Sequence, residues 1–343
     1  MNAQDIQALN HWFQEEKRDF PWRKSPGPYE VWVSEIMLQQ TQANVVVGYF
    51  ERWMVEFPNI EALASAPLEK VIKVWEGLGY YSRARHMHEA AKMMVHKYQG
   101  QLPSNREELE QIKGLGPYTV GAILSFAFHQ KSAAVDGNVI RVLSRFFLIE
   151  EDVASMSVRQ KIHQMVQDFL PDENPWITME ALIELGAQIC RPMPQCSRCP
   201  LQPSCSGFRN GRARVLPVKK NRMKIKKITR AVAIVVNKNA VLLRRGTKGK
   251  VMADLYEFPY VEAKSNKNLE RFLKARIGIE WTSIKTLPKV SHSFTRYKAE
   301  LYPFLCSIPE RSSMAGYEWV DIDKIAELPF SAGHRRILTL INL

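Results

Sequence analysis

The chain has 343 residues, which at ~150 residues per domain accommodates two domains, or three small ones, and excludes a single mini-scaffold. Apolar residues make up 45% and charged residues 24%, ordinary values for a folded protein that argue against wholesale disorder. Lys and Arg outnumber Asp and Glu by 48 to 35, and the resulting net charge of +13 suits a polyanionic partner, either nucleic acid or an acidic membrane surface, or serves nothing in particular.

The N-terminus, with Asp5, Glu15 and Glu16 among polar residues, lacks the apolar core of a signal peptide, and no apolar run approaches the ~20 residues that span a bilayer. A soluble intracellular protein is expected. Residues 1–205 read as an all-helical region. Val31, Trp32, Ile36 and Leu38 recur at helical spacing and place Glu35 among apolar neighbours, where desolvation raises the pKa of a carboxyl group and lets it act as a proton donor. The competing reading is a glutamate at the edge of an amphipathic helix.

Ile112-Lys113-Gly114-Leu115-Gly116-Pro117-Tyr118 follows a Glu-rich helix over Glu107–Gln111 and precedes a second helix from Thr119. Gly114 and Gly116 supply turn conformations, and Pro117 suits a first helical position. Such a helix-hairpin-helix either is a plain structural turn or holds a phosphate on its backbone N–H groups. Asp136 follows the apolar run Ala133-Ala134-Val135 and precedes a helix containing Ile140, Val142, Leu143, Phe146 and Phe147. As an N-cap it accepts N–H bonds, so its pKa is expected to fall. One carboxyl tuned up and one tuned down is an arrangement that separates acid and anion roles in glycoside cleavage.

Four of the five cysteines crowd into residues 190–205: Cys190, Cys196, Cys199 and Cys205, spaced C-x5-C-x2-C-x5-C. This suggests a metal site; a compact run with one close pair suits a 4Fe-4S cluster better than zinc, which usually takes two Cys-x-x-Cys knuckles. Residues 206–229 read as a basic linker, with Arg209, Arg212, Arg214, Lys219, Lys220, Arg222, Lys224, Lys226 and Lys227 and no acidic residue. It is either a solvated tether or a tether lying along a phosphate backbone. Residues 230–343 read as a small α+β domain: strands over Ala231–Val236 and Ala240–Leu243 flank a turn at Asn237–Asn239, a further strand covers Ser293–Ile308, and helices cover Leu269–Arg276 and His334–Leu340. Cys306 is read as a small buried hydrophobe.

Taken together, Val33-Ser34-Glu35-Ile36-Met37-Leu38-Gln39-Gln40-Thr41-Gln42, Trp75-Glu76-Gly77-Leu78-Gly79-Tyr80-Tyr81-Ser82-Arg83-Ala84-Arg85, the glycine turn, Val135-Asp136-Gly137-Asn138-Val139 and the cysteine run occur in an order that resembles adenine DNA glycosylases of the MutY family, within the helix-hairpin-helix/endonuclease III superfamily. The resemblance covers nearly the whole chain. It implies a monofunctional base-excision repair enzyme that removes adenine mispaired with 8-oxoguanine or guanine. It further implies a 4Fe-4S cluster, double-stranded DNA as partner, no membrane association, a monomer, and a bacterial cytoplasm with nucleoid association.

By the same resemblance Glu35 protonates adenine at N7, Asp136 faces the sugar as charge develops at C1′, and Tyr118 and Asn138 support the extruded nucleotide. Arg18, Trp22 and Glu180 resemble parts of the adenine pocket, and Gln40 and Tyr80 resemble residues that push into the base stack. Tyr118 stands where endonuclease III-like enzymes carry a lysine nucleophile, so lyase activity is not expected. The C-terminal part resembles a MutT/Nudix domain, but Leu269-Glu270-Arg271-Phe272-Leu273-Lys274-Ala275-Arg276 lacks the clustered glutamates that hold magnesium. Phe294-Thr295-Arg296 stands where the family inspects 8-oxoguanine with Phe-Ser-His, and the first cysteine gap is five residues where the family usually has six. The alternatives are an endonuclease III-like pyrimidine-damage glycosylase with lyase activity and a non-catalytic iron-sulfur DNA-binding protein.

Overall fold

The computed structural model describes residues 1–24, 26–220, 225–247, 249–278, 280–311 and 313–341. The chain forms two compact units, Met1–Ala64 with Glu89–Arg222 and Ser65–His88 with Met223–Leu343. Ser65–His88 therefore groups with the C-terminal part, although the sequence reading kept all of 1–205 together. Side chains at Lys73, Glu76 and Arg85 bond to residues 253–335, a long-range pairing that local periodicity does not reveal.

Helices follow one another through residue 209: α1 (Ala3–Glu16), α2 (Pro28–Leu38), α3 (Ala43–Glu56), α4 (Ile60–Ser65), α5 (Leu68–Val74), α6 (Ser82–Tyr98), α7 (Arg106–Gln111), α8 (Pro117–Ala122), α9 (Gly137–Phe146), α10 (Met156–Phe169), α11 (Pro175–Gln188) and α12 (Ser206–Arg209). Asn2 and Asp5 close a reciprocal capping box at the start of α1. In α2 every residue from Val31 to Met37 is buried, Ser34 and Glu35 included, so this helix runs through the core instead of showing a polar face to water. Gly116 caps α8 and Pro117 takes its first position, as the sequence predicts. Helices α9 and α11 approach so closely that a Cβ on Gly186 would lie 2.6 Å from that of Asn138, which explains glycine there.

The first part of the basic stretch is structured. Residues 206–209 are helical, Arg145 Nε donates to the Leu216 carbonyl at 3.0 Å, and Val153 N–H donates to the Val218 carbonyl at 3.1 Å. The tether reading therefore fails for 206–218, because backbone carbonyls there serve as acceptors for buried donors. Arg222 and Lys224 lie outside the described residues.

In the second unit β1 (Lys226–Asn237) and β2 (Ala240–Arg245) form an antiparallel hairpin; Asn237 pairs with Ala240, so the turn is Lys238–Asn239, one residue shorter than expected. The strands β3 (Tyr256–Glu257), β4 (Tyr260–Ala263), β5 (Ser283–Thr286), β6 (Val290–Phe294), β7 (Tyr297–Ser307) and β8 (Glu318–Asp321) complete a mixed sheet in which β1 and β7 are parallel. Central β1 is buried on both faces, hence its unbroken apolar run: Val232 and Ile234 join Phe258, Leu301 and Phe330 on one side, and Ala231, Ala233 and Val235 join Leu269, Leu273 and Phe304 on the other. Helices α13 (Leu269–Ile277) and α14 (Ala332–Leu338) contribute Leu273 and Ile337 to these opposite cores, in agreement with the helices predicted there. The single strand predicted over Ser293–Ile308 is two strands. Phe294 pairs with Tyr297 across a Thr295–Arg296 turn, with Thr295 at φ 47°. Hydroxyl-bearing, β-branched Thr295 fits the strand alternation, and that hid the turn. Cys306 is fully buried, as expected.

Candidate active site

Glu35 is only 7% exposed, in the third turn of a helix that is itself core. Burial pushes its carboxyl up to about 7; Asp136 and Glu180 add to the rise through their negative charge, while a hydrogen bond from Tyr118 and the Arg23 guanidinium oppose it. The Tyr118 hydroxyl donates to Oε2 at 2.6 Å. A carboxyl group balanced this way carries a proton for a large fraction of the time at neutral pH, which suits a general acid.

Asp136 caps α9, where Oδ1 accepts the Val139 N–H and Oδ2 accepts Asn138 Nδ2, both at 2.7 Å. These donors and the Arg141 charge hold its pKa down, yet burial outweighs them and the net shift is upward. The expected fall is thus corrected. An N-cap lowers a carboxyl pKa only where its donors outweigh desolvation, and at half-buried Asp136 desolvation is the larger cause. Two donors aimed at its oxygens still distinguish it from Glu35, which accepts from Tyr118, and make Asp136 the better fitted of the two to bear charge.

Behind this pair lies a guanidinium lattice. Arg18 forms a fork to Glu184, with Nε to Oε1 at 2.6 Å and Nη2 to Oε2 at 3.2 Å. Arg23 reaches Glu184 Oε2 at 3.0 Å and Glu180 Oε2 at 3.4 Å. Trp22 is buried, stacked on Phe20 with ring centroids 4.7 Å apart and edge-on to Phe50. Glu180, read from the sequence, therefore lies in the field of Glu35, and Arg18 is occupied by Glu184. Arg23 and Glu184 escaped the sequence reading. The available signal was the adjacency of Arg23 to Trp22 and the one-turn spacing of Glu180 and Glu184 on α11.

Arg141 was also missed. Its Nη2 donates to Asn138 Oδ1 at 2.7 Å and to the Gly186 carbonyl at 2.8 Å, and its Nε donates to the Cys190 carbonyl at 2.7 Å, so one side chain links the Asp136 turn to the cysteine run. One turn on, the buried Arg145 donates to the carbonyls of Cys190, Arg191 and Pro192 and lies 3.3 Å from Cys190 Sγ. Cys190, Cys196, Cys199 and Cys205 line one small cavity of about 20 Å³, walled otherwise by residues that include Val142, Phe146, Leu185 and Ile189. Among the described residues no three His, Cys, Asp or Glu side chains are placed to hold a single metal ion.

Gly114 has φ 91°, a conformation that favours glycine, and it and Gly116 expose their backbone beside the start of α8. Gln40 is exposed just after α2 with φ 58°. In the other unit Tyr80 is 43% exposed with φ 49°, and Phe294 and Thr295 lie at the β6–β7 hairpin tip.

Residues 33–168 match the family described as HhH-GPD superfamily base excision DNA repair protein, and residues 231–340 match the NUDIX domain. The adenine DNA glycosylase of Rattus norvegicus is 43% identical over 61% of this chain and 43% of its own length. The chain thus spans less than half the length of that relative. The adenine DNA glycosylase of Buchnera aphidicola subsp. Baizongia pistaciae is 33% identical over 74% of this chain and 72% of its own length. A thermostable thymine-DNA glycosylase structure superposes with a TM-score of 0.55 at 26% identity, over 60% of this chain and 95% of that one. With helices and a mixed sheet in the expected order, and 33% identity to a bacterial relative across 72% of that relative's length, the chain belongs to the adenine DNA glycosylase family.

Proposed function

We propose that this protein is a monofunctional DNA glycosylase in base excision repair that hydrolyses the N-glycosidic bond of adenine mispaired with 8-oxoguanine or guanine. The observation that carries the reading is the buried Glu35 carboxyl, held by the Tyr118 hydroxyl at 2.6 Å, with burial pushing its pKa up to about 7. An adenine stacked in a duplex is out of reach, so the nucleotide is extruded at a cost of a few kcal/mol, least for a mispaired base. Glu35 gives its proton to N7, which turns a poor anionic leaving group into a neutral one. As the bond to C1′ lengthens, the positive charge on the sugar is met by Asp136, steadied by Val139 N–H and Asn138. Water adds its oxygen to C1′ as the bond to adenine breaks, and the proton it sheds restores the Glu35 carboxyl. Tyr118 orients Glu35 through its hydroxyl and offers no amine for a Schiff base, so the product is an abasic site in an intact strand.

Trp22, Arg18, Arg23 and Glu180 form one wall of the base pocket in this reading, Gln40 and Tyr80 fill the stack, and Gly114 and Gly116 present backbone N–H groups to a phosphate. Phe294 and Thr295, at a hairpin tip, are assigned the inspection of the base opposite adenine. The protein acts as a monomer on double-stranded DNA, and among the described residues no helix is long and apolar enough to cross a membrane.

Cys190, Cys196, Cys199 and Cys205 hold a 4Fe-4S cluster in this proposal. The fit rests on four thiols lining one cavity with apolar walls and on the buried Arg145, whose charge at Cys190 offsets thiolate charge. When bound, the cluster supplies four iron–sulfur bonds that staple the run together. Arg141 and Arg145 then fix the stapled run to α9, and through α9 to Asp136.

The deciding experiment offers duplexes with adenine opposite 8-oxoguanine, guanine and thymine. Free adenine from the first two, with strand breakage only after alkali, is the expected result; release of thymine glycol from a damaged duplex instead would point to an endonuclease III-like enzyme. Iron analysis with visible absorption addresses the cluster, and a colourless zinc protein would refute it.

A further inference from the structure

The second unit contains a set of charged contacts that the proposed chemistry does not use. Glu76, 14% exposed, accepts Arg335 Nε at 2.6 Å on Oε1 and Nη2 at 2.9 Å on Oε2, a fork-on-fork pair. Its Oε1 also accepts the Phe330 N–H at 3.1 Å. Lys73 Nζ donates to Glu76 Oε2 at 2.8 Å and to the carbonyls of Ala326 at 2.6 Å and Leu328 at 3.1 Å. On the far side of the same segment, Arg85 Nη1 donates to the Ala253 carbonyl at 3.1 Å and to Asp254 Oδ2 at 3.3 Å.

Between these anchors runs the loop Gly77–Tyr81, and it is wound tightly. Gly77 has φ 105°, Gly79 φ 72° and Tyr80 φ 49°; a left-handed tyrosine is strained and persists only where its surroundings hold it. Trp75 Nε1 donates to the Gly79 carbonyl at 3.0 Å, Arg83 Nη2 donates to the Leu78 and Gly79 carbonyls at 3.3 and 3.2 Å, and the Gly77 N–H donates to Tyr81 Oη at 3.1 Å. The Arg83 guanidinium lies 5.5 Å from the centroid of the Tyr80 ring, which is nevertheless 43% exposed. The result is a stiff platform that presents one aromatic ring to solvent, with Glu76 at its root.

We propose that Glu76 and Arg335 are a positioning pair through which the C-terminal domain sets the loop that inserts Tyr80 into the base stack. The inference rests on the glycosylase reading, and neither residue is assigned contact with DNA. A fork between a carboxylate and a guanidinium fixes direction as well as distance, so rotating or releasing α14 displaces the root of the loop. Misplacement on the order of 1 Å is enough to cost up to ~100-fold in rate.

The test is a double-mutant cycle on the full chain, read by single-turnover adenine release from a duplex with adenine opposite 8-oxoguanine, and by the fluorescence of 2-aminopurine placed next to the mispair. Arg335→Ala is expected to slow release about tenfold, equivalent to ~1.4 kcal/mol, and to reduce the unstacking signal in parallel. Arg335→Lys should recover part of both. In a Tyr80→Ala background Arg335→Ala should have no further effect, because the element it positions is gone. Losses that multiply in the double variant, or an Arg335→Ala rate equal to wild type, overturn the pair. If Arg335→Ala does not fold, judged by its thermal melt, Glu76→Gln takes its place in the cycle. Wild-type protein that releases no adenine from this duplex defeats the glycosylase reading, and the pair with it; wild-type release with an unaffected Arg335→Ala defeats the pair alone.

Discussion

Below about pH 7 the Glu35 carboxyl keeps its proton, and above it the group becomes a buried anion. Because its pKa is raised on folding, the stabilisation it contributes is complete below its ordinary value and disappears as pH climbs through about 7. A rise from 4.5 to about 7 corresponds to about 3 kcal/mol. Glu35→Gln, neutral throughout, should therefore gain stability relative to wild type between pH 5 and pH 8 by up to about that amount, measured by urea denaturation at the two pH values. The same substitution should abolish adenine release while leaving duplex binding largely intact, and near-wild-type turnover would refute the acid assignment. Tyr118→Phe removes a hydrogen bond that favours the ionised carboxylate. It should raise the Glu35 pKa and carry the alkaline limb of the rate profile to higher pH, a shift readable in single-turnover rates from pH 6 to 9.

The arrangement of these groups depends on how helices meet. The α2 helix brings Glu35 through the core, α8 delivers Tyr118 from the glycine turn, and α9 opens on Asp136. Contact between α9 and α11 needs a residue without a side chain at Gly186. Gly186→Ala puts a methyl group against the Asn138 Cβ and backbone, so the helices must part; a loss of about 1–3 kcal/mol is expected in denaturant unfolding, with a larger proportional fall in excision than in DNA binding. Sequence periodicity showed each of these helices, because an apolar repeat is a local property. It did not show that α2 is buried on all sides, since a glutamate within an apolar run looks the same at a helix edge as in a core.

Across the whole molecule, a net charge of +13 implies affinity for DNA that falls steeply with salt. Binding to an undamaged duplex should give a log–log slope of about −0.9 for each phosphate neutralised, and a flat dependence between 50 and 200 mM salt would show that the basic stretch after residue 205 stays clear of the backbone. What the linear chain determined was the kind of protein: helices followed by a small α+β domain, a glutamate at position 35 within an apolar helical run, a capped helix at Asp136, and four cysteines in sixteen residues. These follow from spacing and composition, which act over a few residues. Only the tertiary structure decided the sign of the Asp136 shift, the docking of residues 206–218, the hairpin turn at Thr295, and the grouping of Ser65–His88 with the C-terminal sheet. Desolvation and docking depend on which parts of the chain pack together, from partners 71 residues apart at Arg145 and Leu216 to 253 apart at Lys73 and Ala326, and local spacing does not record that.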